Sequence, residues 1–216
     1  MTVLSTSMPL CEGDDDCAMR PQFYISLETD PAFNLAFEEY LLRNREGDVP
    51  CLLLYRNASS VIIGRNQNPW LECAVRYLHD RKIPLFRRIS GGGAVYHDLG
   101  NVNFSLLTGR RAYDPGAHSR LAVSALQRLG VSAEIGQRHA LFLRDKKISG
   151  TAFMLTGKRA LQHATLLLHA DLNCLRRSLL PECPGQIETN AVRSVPSGVV
   201  NLAEHCRAVT LESFRC

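Results

Sequence analysis

Lysine is scarce in this chain, with four residues against 21 arginines, so an adjacent pair such as Lys146-Lys147 stands out. Paired cysteine spacing is missing too: eight cysteines are scattered without one C-x-x-C. That argues against a bound metal and, with no secretory signal ahead of them, for reduced thiols in an intracellular compartment. No apolar run approaches the ~18 residues that would span a bilayer. Neither G-x-x-x-x-G-K-[ST] nor G-x-G-x-x-G occurs, which excludes the Walker and Rossmann phosphate loops. No G-x-S-x-G elbow offers a serine nucleophile, and no carboxylate pair has acid–base spacing. Charge of either sign is in mild excess at most, since 25 basic and 21 acidic residues leave +4. That balance suits an anionic ligand or an acidic partner protein, and it lacks the one-sided basic tract of a nucleic-acid binder.

What is present is an ordinary globular composition, 45% apolar and 21% charged over 216 residues. A chain of this length buries roughly 70% of its unfolded surface and needs no covalent staples. Residues 1–20 carry Glu12, Asp14, Asp15 and Asp16 with a single Arg20. They are too acidic for a transit peptide and read as a disordered or non-conforming tail, which leaves 21–216 as one domain.

Strand and helix signals alternate from residue 23. Residues 23–27 read as a strand. Asp30-Pro31 is a cap followed by proline at the first helical position. Phe33, Phe37, Tyr40 and Leu41 then fall on one helical face, with Glu38 and Glu39 turned elsewhere. Residues 50–56 and 60–64 are apolar runs split by Asn57-Ala58-Ser59, a hairpin signal. Asn68-Pro69 caps a second helix carrying Leu71, Val75 and Leu78, with Trp70 packed beside the cap. Residues 84–87 and 102–108 are strands into and out of a glycine triplet, and 115–129 is a third helix. Strands at 141–144, 148–155 and 160–168 follow, with turns at Asp145-Lys146 and Thr156-Gly157-Lys158. Helices at 172–180 and after Pro196 end the chain. This order predicts an α/β (α+β) fold, a mixed β-sheet flanked by helices.

The segment richest in chemistry is 87–101, RRISGGGAVYHDLGN. Three glycines are a poor helix and a poor strand, because each loses the most backbone entropy on ordering. Their use is close approach of several N–H groups to a bound group, and Arg87 and Arg88 suggest that the group is anionic. A flexible turn between two strands is the alternative. In residues 144–153, RDKKISGTAF, an ammonium on a flexible stem can follow a reacting oxygen as a point charge; a solvated hairpin turn is the alternative there. His97 and His163 stand out among seven histidines, as site residues or as hydrogen-bonded structural ones.

RRISGGGAVYHDLGN lies between VIIGRNQNPWLEC upstream and KKISGTA and QHATLLL downstream, with NLAFEEYLLR and SVPSGVVNL at the two ends. In that order these motifs resemble the lipoate–protein ligase and lipoyltransferase family, from about Asn34 to Leu202. The resemblance implies a biotin/lipoate-ligase-like catalytic domain related to class II aminoacyl-tRNA synthetase cores. It implies two steps: lipoate attacks the α-phosphorus of ATP, with Mg2+, to give lipoyl-adenylate, and a carrier lysine then attacks the activated carbonyl. The acceptors would be lipoyl domains of 2-oxoacid dehydrogenase E2 subunits and the glycine cleavage H protein. Carried over by position, Arg88, Gly93, Ala94, Val95 and Tyr96 hold the adenylate with Lys147, the catalytic lysine. Gly91, Gly92, Ser149 and His163 flank the lipoate pocket, and no metal ligand is assigned. Val61, Ile62, Ile63 and Leu166 are placed as walls for the acyl chain.

Family members that activate lipoate with ATP carry a small C-terminal domain, and residues 204–216 do not resemble it. Truncation, a separate accessory polypeptide, or use of preformed lipoyl-adenylate stay open on this reading. So do an octanoyltransferase of the same fold, working through an acyl-cysteine, and a non-catalytic binder of lipoyl-adenylate or lipoyl domains. The expected protein is a monomer that binds neither nucleic acid nor membrane. Its compartment would be the mitochondrial matrix if eukaryotic (hence mitochondrion) and cytoplasmic otherwise.

Overall fold

The computed structural model describes residues 3–7, 21–45, 48–182 and 187–206. Strands β1 (Val3–Ser7) and β2 (Gln22–Ser26) pair antiparallel and precede helix α1 (Pro31–Asn44). The cap of α1 forms as expected, with Asp30 accepting from the Ala32 amide at 2.9 Å. Next come β3 (Cys51–Tyr55), β4 (Ser60–Ile63), and two short helices, α2 (Pro69–Glu72) and α3 (Val75–Asp80). Strands β5 (Leu85–Arg87) and β6 (Val95–His97) flank the glycine triplet, and β7 (Asn101–Gly109) leads to α4 (Pro115–Arg128). Strands β8 (Glu134–Ile135), β9 (Leu141–Leu143), β10 (Lys146–Ser149), β11 (Thr151–Leu155) and β12 (Arg159–Leu167) precede α5 (Leu172–Ser178).

The strands form three sheets, ordered β1-β2-β3-β7-β12-β11, β5-β4-β6 and β10-β9-β8. Parallel β2–β3 and β4–β5 pairs sit beside antiparallel ones, which makes the fold mixed α/β, as expected. β7 and β12 pair over nine positions, opposing His163 to Ser105. Both strands are buried along almost their whole length, because helices and loops cover the two faces. On one face Leu53, Leu107 and Leu161, each at most 1% exposed, pack against Leu41 and Leu42 of α1. Each such leucine contributes about 2 kcal/mol relative to exposure. On the other face Val102, Leu141 and Leu166 pack with Leu126 of α4. No helix among the described residues is long and apolar enough to cross a membrane.

Several local expectations are corrected. Within the tail expected at 1–20, residues 3–7 form a strand whose ladder runs along β2, while 1–2 and 8–20 lie outside the described residues. Asn57-Ala58-Ser59 does not close a hairpin: β3 pairs with β2 and β7, and β4 leaves for another sheet. The helix at 69–80 breaks after Glu72. The strand at 148–155 breaks at Gly150, where the chain passes from the β9 partner to β12. After Pro196 the described residues, which end at 206, hold a 3-10 turn (Leu202–Glu204) and no α-helix; the rest of the expected helix falls outside them.

The largest correction concerns α1. Glu38 is 1% exposed and Tyr40 is 59% exposed, the reverse of the apolar-face reading. Asn34 and Glu38, four residues apart, lie on the buried stripe with Leu41 and Leu42. Asn34 Nδ2 donates to the Glu28 and Arg56 carbonyls and to Asn57 Oδ1, and its own Oδ1 accepts from Ser26. Polar side chains with partners waiting inside displace Phe33 and Tyr40 from the interior.

Candidate active site

Two neighbouring guanidiniums shape the glycine loop between β5 and β6. Arg87 Nη1 donates to the carbonyl oxygens of Gly64 (3.0 Å), Arg65 (3.0 Å) and Gln67 (2.8 Å). Arg88, 7% exposed, turns inward. Its Nη2 donates to Gly91 O (2.6 Å) and Gly93 O (2.8 Å), Nη1 to Ile62 O (3.2 Å) and Nε to Ser90 Oγ (2.9 Å). Gly92 has a φ of +85°, and a Cβ there would lie 2.8 Å from Arg88 Nη2. A Cβ on Gly64 would collide with Gly92 O. Handedness demands glycine at the first position and contact at the second.

A strap formed by residues 193–200 closes against this loop. Ser194 Oγ accepts from the Ala94 amide (2.9 Å) and from Gln67 Nε2 (3.0 Å), and the Ser194 amide donates to Glu72 Oε2 (3.0 Å). Farther along, the Lys147 amide donates to Gly198 O (2.9 Å) and the Val200 amide to Lys147 O (3.2 Å). The strap and β10 thereby bring Lys147 and the loop to one cavity of about 270 Å3.

Arg88, Gly92, Gly93, Ala94, Val95, Lys147 and His163 all line this cavity. Gly91, Tyr96 and Ser149 do not, each for a physical reason. Gly91 packs against Gly64, where a Cβ would meet the Gly91 carbonyl group. Tyr96 alternates with Val95 along β6, so it enters the core, where its hydroxyl donates to Ser59 Oγ at 3.3 Å. Ser149 would share a face with Lys147 in a regular strand, but a register shift falls between them and Ser149 is 1% exposed. Of the proposed acyl walls only Ile62 reaches the cavity; Val61 and Ile63 pack in the β4–α3 core and Leu166 under α4.

Arg88, Arg138, Lys147, His97 and His163 line the cavity and, among the described residues, no carboxylate does. Burial pushes Arg88 down to about 10, opposed by Glu38, so the guanidinium stays cationic at neutral pH. Burial, then the nearby Arg138, lowers Lys147 from its ordinary value. Among the described residues the Lys147 ammonium has no hydrogen-bond or ion-pair partner, which leaves all three donors for a ligand. Burial, then Arg88 and His163, pushes His97 down to about 3. Asn57 Nδ2, 3.0 Å from His97 Nδ1, then makes Nε2 the protonated nitrogen of a neutral ring.

Four residues beyond the sequence expectations complete the site. Glu38 lies 2.9 Å from His163 Nδ1 through Oε2, and also accepts from Ser105 and Tyr55. Burial alone would raise its pKa; the attraction of His163 and these hydrogen bonds outweigh that and leave it lowered. Ser90 Oγ is 2.7 Å from His163 Nε2. Ser194 comes from the strap and Arg138 from a 3-10 turn (Gln137–His139). The 34/38/41 spacing could have revealed Glu38, and Ser90 and Ser194 lie inside the quoted motifs, whereas no sequence signal marks Arg138. Among the described residues, no group of three or more His, Cys, Asp and Glu could hold a metal ion.

A cation-lined cavity beneath a glycine loop, in a mixed α/β architecture, has the charge that suits an anionic ligand. The family described as the lipoyl protein ligase A/B catalytic domain matches residues 30–215, and the chain belongs to that family. Lipoate-protein ligase A of Psychrobacter cryohalolentis is 40% identical over 196 residues, covering 91% of this chain and 58% of that protein. The chain thus spans less than two thirds of that relative. The crystal structure of P. falciparum LipL1 in complex with lipoate aligns with a TM-score of 0.79 at 30% identity, over 90% of this chain and 59% of that one. A crystal structure of lipoate-protein ligase A bound with ATP aligns with a TM-score of 0.73 at 30% identity, over 86% of this chain and 76% of that one.

Proposed function

We propose that this chain is an enzyme that transfers a lipoyl group, through lipoyl-adenylate, to the lysine of lipoyl-carrier domains. The observation that carries the reading is the Lys147 ammonium, unpartnered among the described residues, in the same cavity wall as Gly92, Gly93 and Ala94. In the first step a lipoate oxygen bonds to the α-phosphorus of ATP and pyrophosphate leaves. In the second, the carrier amine bonds to the acyl carbon, AMP leaves and the amine loses a proton. Negative charge builds on phosphate oxygens in one step and on the carbonyl oxygen in the other. A preorganised ammonium and backbone donors favour both. Leu35, Ile62, Ala140 and Phe142 offer apolar wall for the acyl chain. Mg2+ would arrive bound to ATP, since no protein carboxylate lines the cavity among the described residues.

Support comes from the family match and from the ligands named for the similar structures, lipoate in one and ATP in another. Acceptors would be lipoyl domains of 2-oxoacid dehydrogenase E2 subunits or the glycine cleavage H protein, with any separate accessory polypeptide contributing to ATP activation. The test is to incubate the pure chain with lipoate, MgATP and a lipoyl domain, then again with synthetic lipoyl-adenylate. Carrier modification in both mixtures assigns a ligase, and in the second alone a transferase. Tight adenylate binding with no modification in either assigns a binder and ends the catalytic reading.

A further inference from the structure

We infer that Glu38 is a positioning residue that sets the glycine loop through His163, Ser90 and Arg88. A continuous chain of short contacts links them. Glu38 Oε2 lies 2.9 Å from His163 Nδ1, His163 Nε2 lies 2.7 Å from Ser90 Oγ, and Arg88 Nε lies 2.9 Å from the same oxygen. Arg88 then holds Gly91 O and Gly93 O at 2.6 and 2.8 Å. None of the four side chains' residues is more than 7% exposed, so water does not compete for these bonds.

The direction of the chain follows from donor arithmetic. Arg88 can only donate, so Ser90 Oγ accepts from it and shares the next bond with His163 Nε2. His163 Nδ1 is then left to donate to Glu38, which can only accept. The two ends of the chain therefore have fixed roles: Arg88 donates and Glu38 accepts. A serine, a histidine and a carboxylate in this order also have the geometry of a nucleophilic triad. Here that role is closed off: Ser90 is 0% exposed, is absent from the cavity wall and accepts from Arg88. Glu38 is absent from the wall as well, so it acts on a ligand only through its partners. The buried Arg88 charge needs an opposite charge in the interior, and Glu38 is the carboxylate to which its ionisation is coupled. The catalytic consequence rests on the lipoyl-transfer reading above; the control of the loop does not.

Amide hydrogen exchange of the full unliganded chain reads the loop directly. In Glu38→Gln, amides 91–94 should exchange at least tenfold faster while those of β7 and β12 keep their protection. Ser90→Ala should raise the same amides, and the double variant should match the larger single effect, because one chain is being cut twice. Unchanged loop exchange in Glu38→Gln, or single effects that multiply, overturns the inference. Should Glu38→Gln fail to fold, His163→Asn cuts the chain at its middle and is read by the same amides against the same two outcomes. In transfer from synthetic lipoyl-adenylate, Glu38→Gln should lower kcat at least tenfold with KM for the lipoyl domain unchanged. A wild-type chain that transfers nothing defeats the functional reading alone, and the exchange result still decides the relay. Wild-type kcat in Glu38→Gln defeats the relay.

Discussion

Glu38 and His163 are 125 residues apart in the chain and 2.9 Å apart in the interior. One comes from the first helix, α1, and the other from β12 in the central strand pair. Their contact ties the buried face of α1 to the wall of the cavity, and around it each named part of the site can be tested separately.

Lys147 carries the charge stabilisation in the proposed chemistry. Lys147→Ala should lower both adenylate formation and transfer by about 10²–10³-fold, the usual cost of removing one preorganised donor. Its thermal midpoint should hold, because the ammonium has no partner to strand among the described residues. Full transfer by a folded Lys147→Ala chain would end the assignment.

Titration of the same lysine gives a second prediction. Its folded-state value is lowered from the ordinary 10.5, first by burial and then by Arg138. The charged form is therefore disfavoured by folding, and that penalty is present below the folded value and relieved as pH rises through it. Lys147→Met should be at least as stable as the parent at pH 7, and the gap should close as pH approaches 10.5. Activity should fall over the same interval as the cation is lost, and Arg138→Gln should move that fall to higher pH. A fall unmoved by Arg138→Gln in pH–rate profiles would refute the coupling.

The glycines divide into required and replaceable ones. Gly92→Ala meets both a φ of +85° and the Arg88 guanidinium, and Gly64→Ala drives a methyl into Gly92 O. Each should cost about 1–3 kcal/mol of stability and at least tenfold in activity. Gly157→Ala, with nothing within 4 Å of the added carbon, should be neutral. Urea midpoints and transfer rates for the three variants check the division.

An acyl-cysteine route has no thiol to work through among the described residues. Cys51 and Cys73 are buried, and burial, then Glu72, pushes Cys73 up to about 12. Neither these nor Cys174 and Cys206 line the cavity. Mass spectrometry after incubation with octanoyl-carrier protein should find no thioester adduct; an adduct on any cysteine would revive the octanoyltransferase reading.

Legibility followed the range of the force involved. The Asp30-Pro31 cap, the glycine loop and the strands at 141–143 and 159–167 were readable because each depends on residues within a few positions of itself. Glu38 was misread because a carboxylate on a helix looks solvent-bound until His163, Ser105 and Tyr55 are known to await it. The false hairpin at 57–59 failed for a similar reason, since β3 and β4 find their hydrogen bonds in different sheets.

By itself the amino-acid order determined that residues 87–101 bring glycines and arginines together, that one lysine pair follows, and that helices and strands alternate around them. Only the folded chain decided that Arg88 turns its donors to the loop's own carbonyls while the Lys147 ammonium meets no partner among the described residues. It also decided that Tyr96 and Ser149 turn away from the cavity. The reason is that backbone preferences act between near neighbours. Where a buried charge points depends on which partner a distant strand delivers to it.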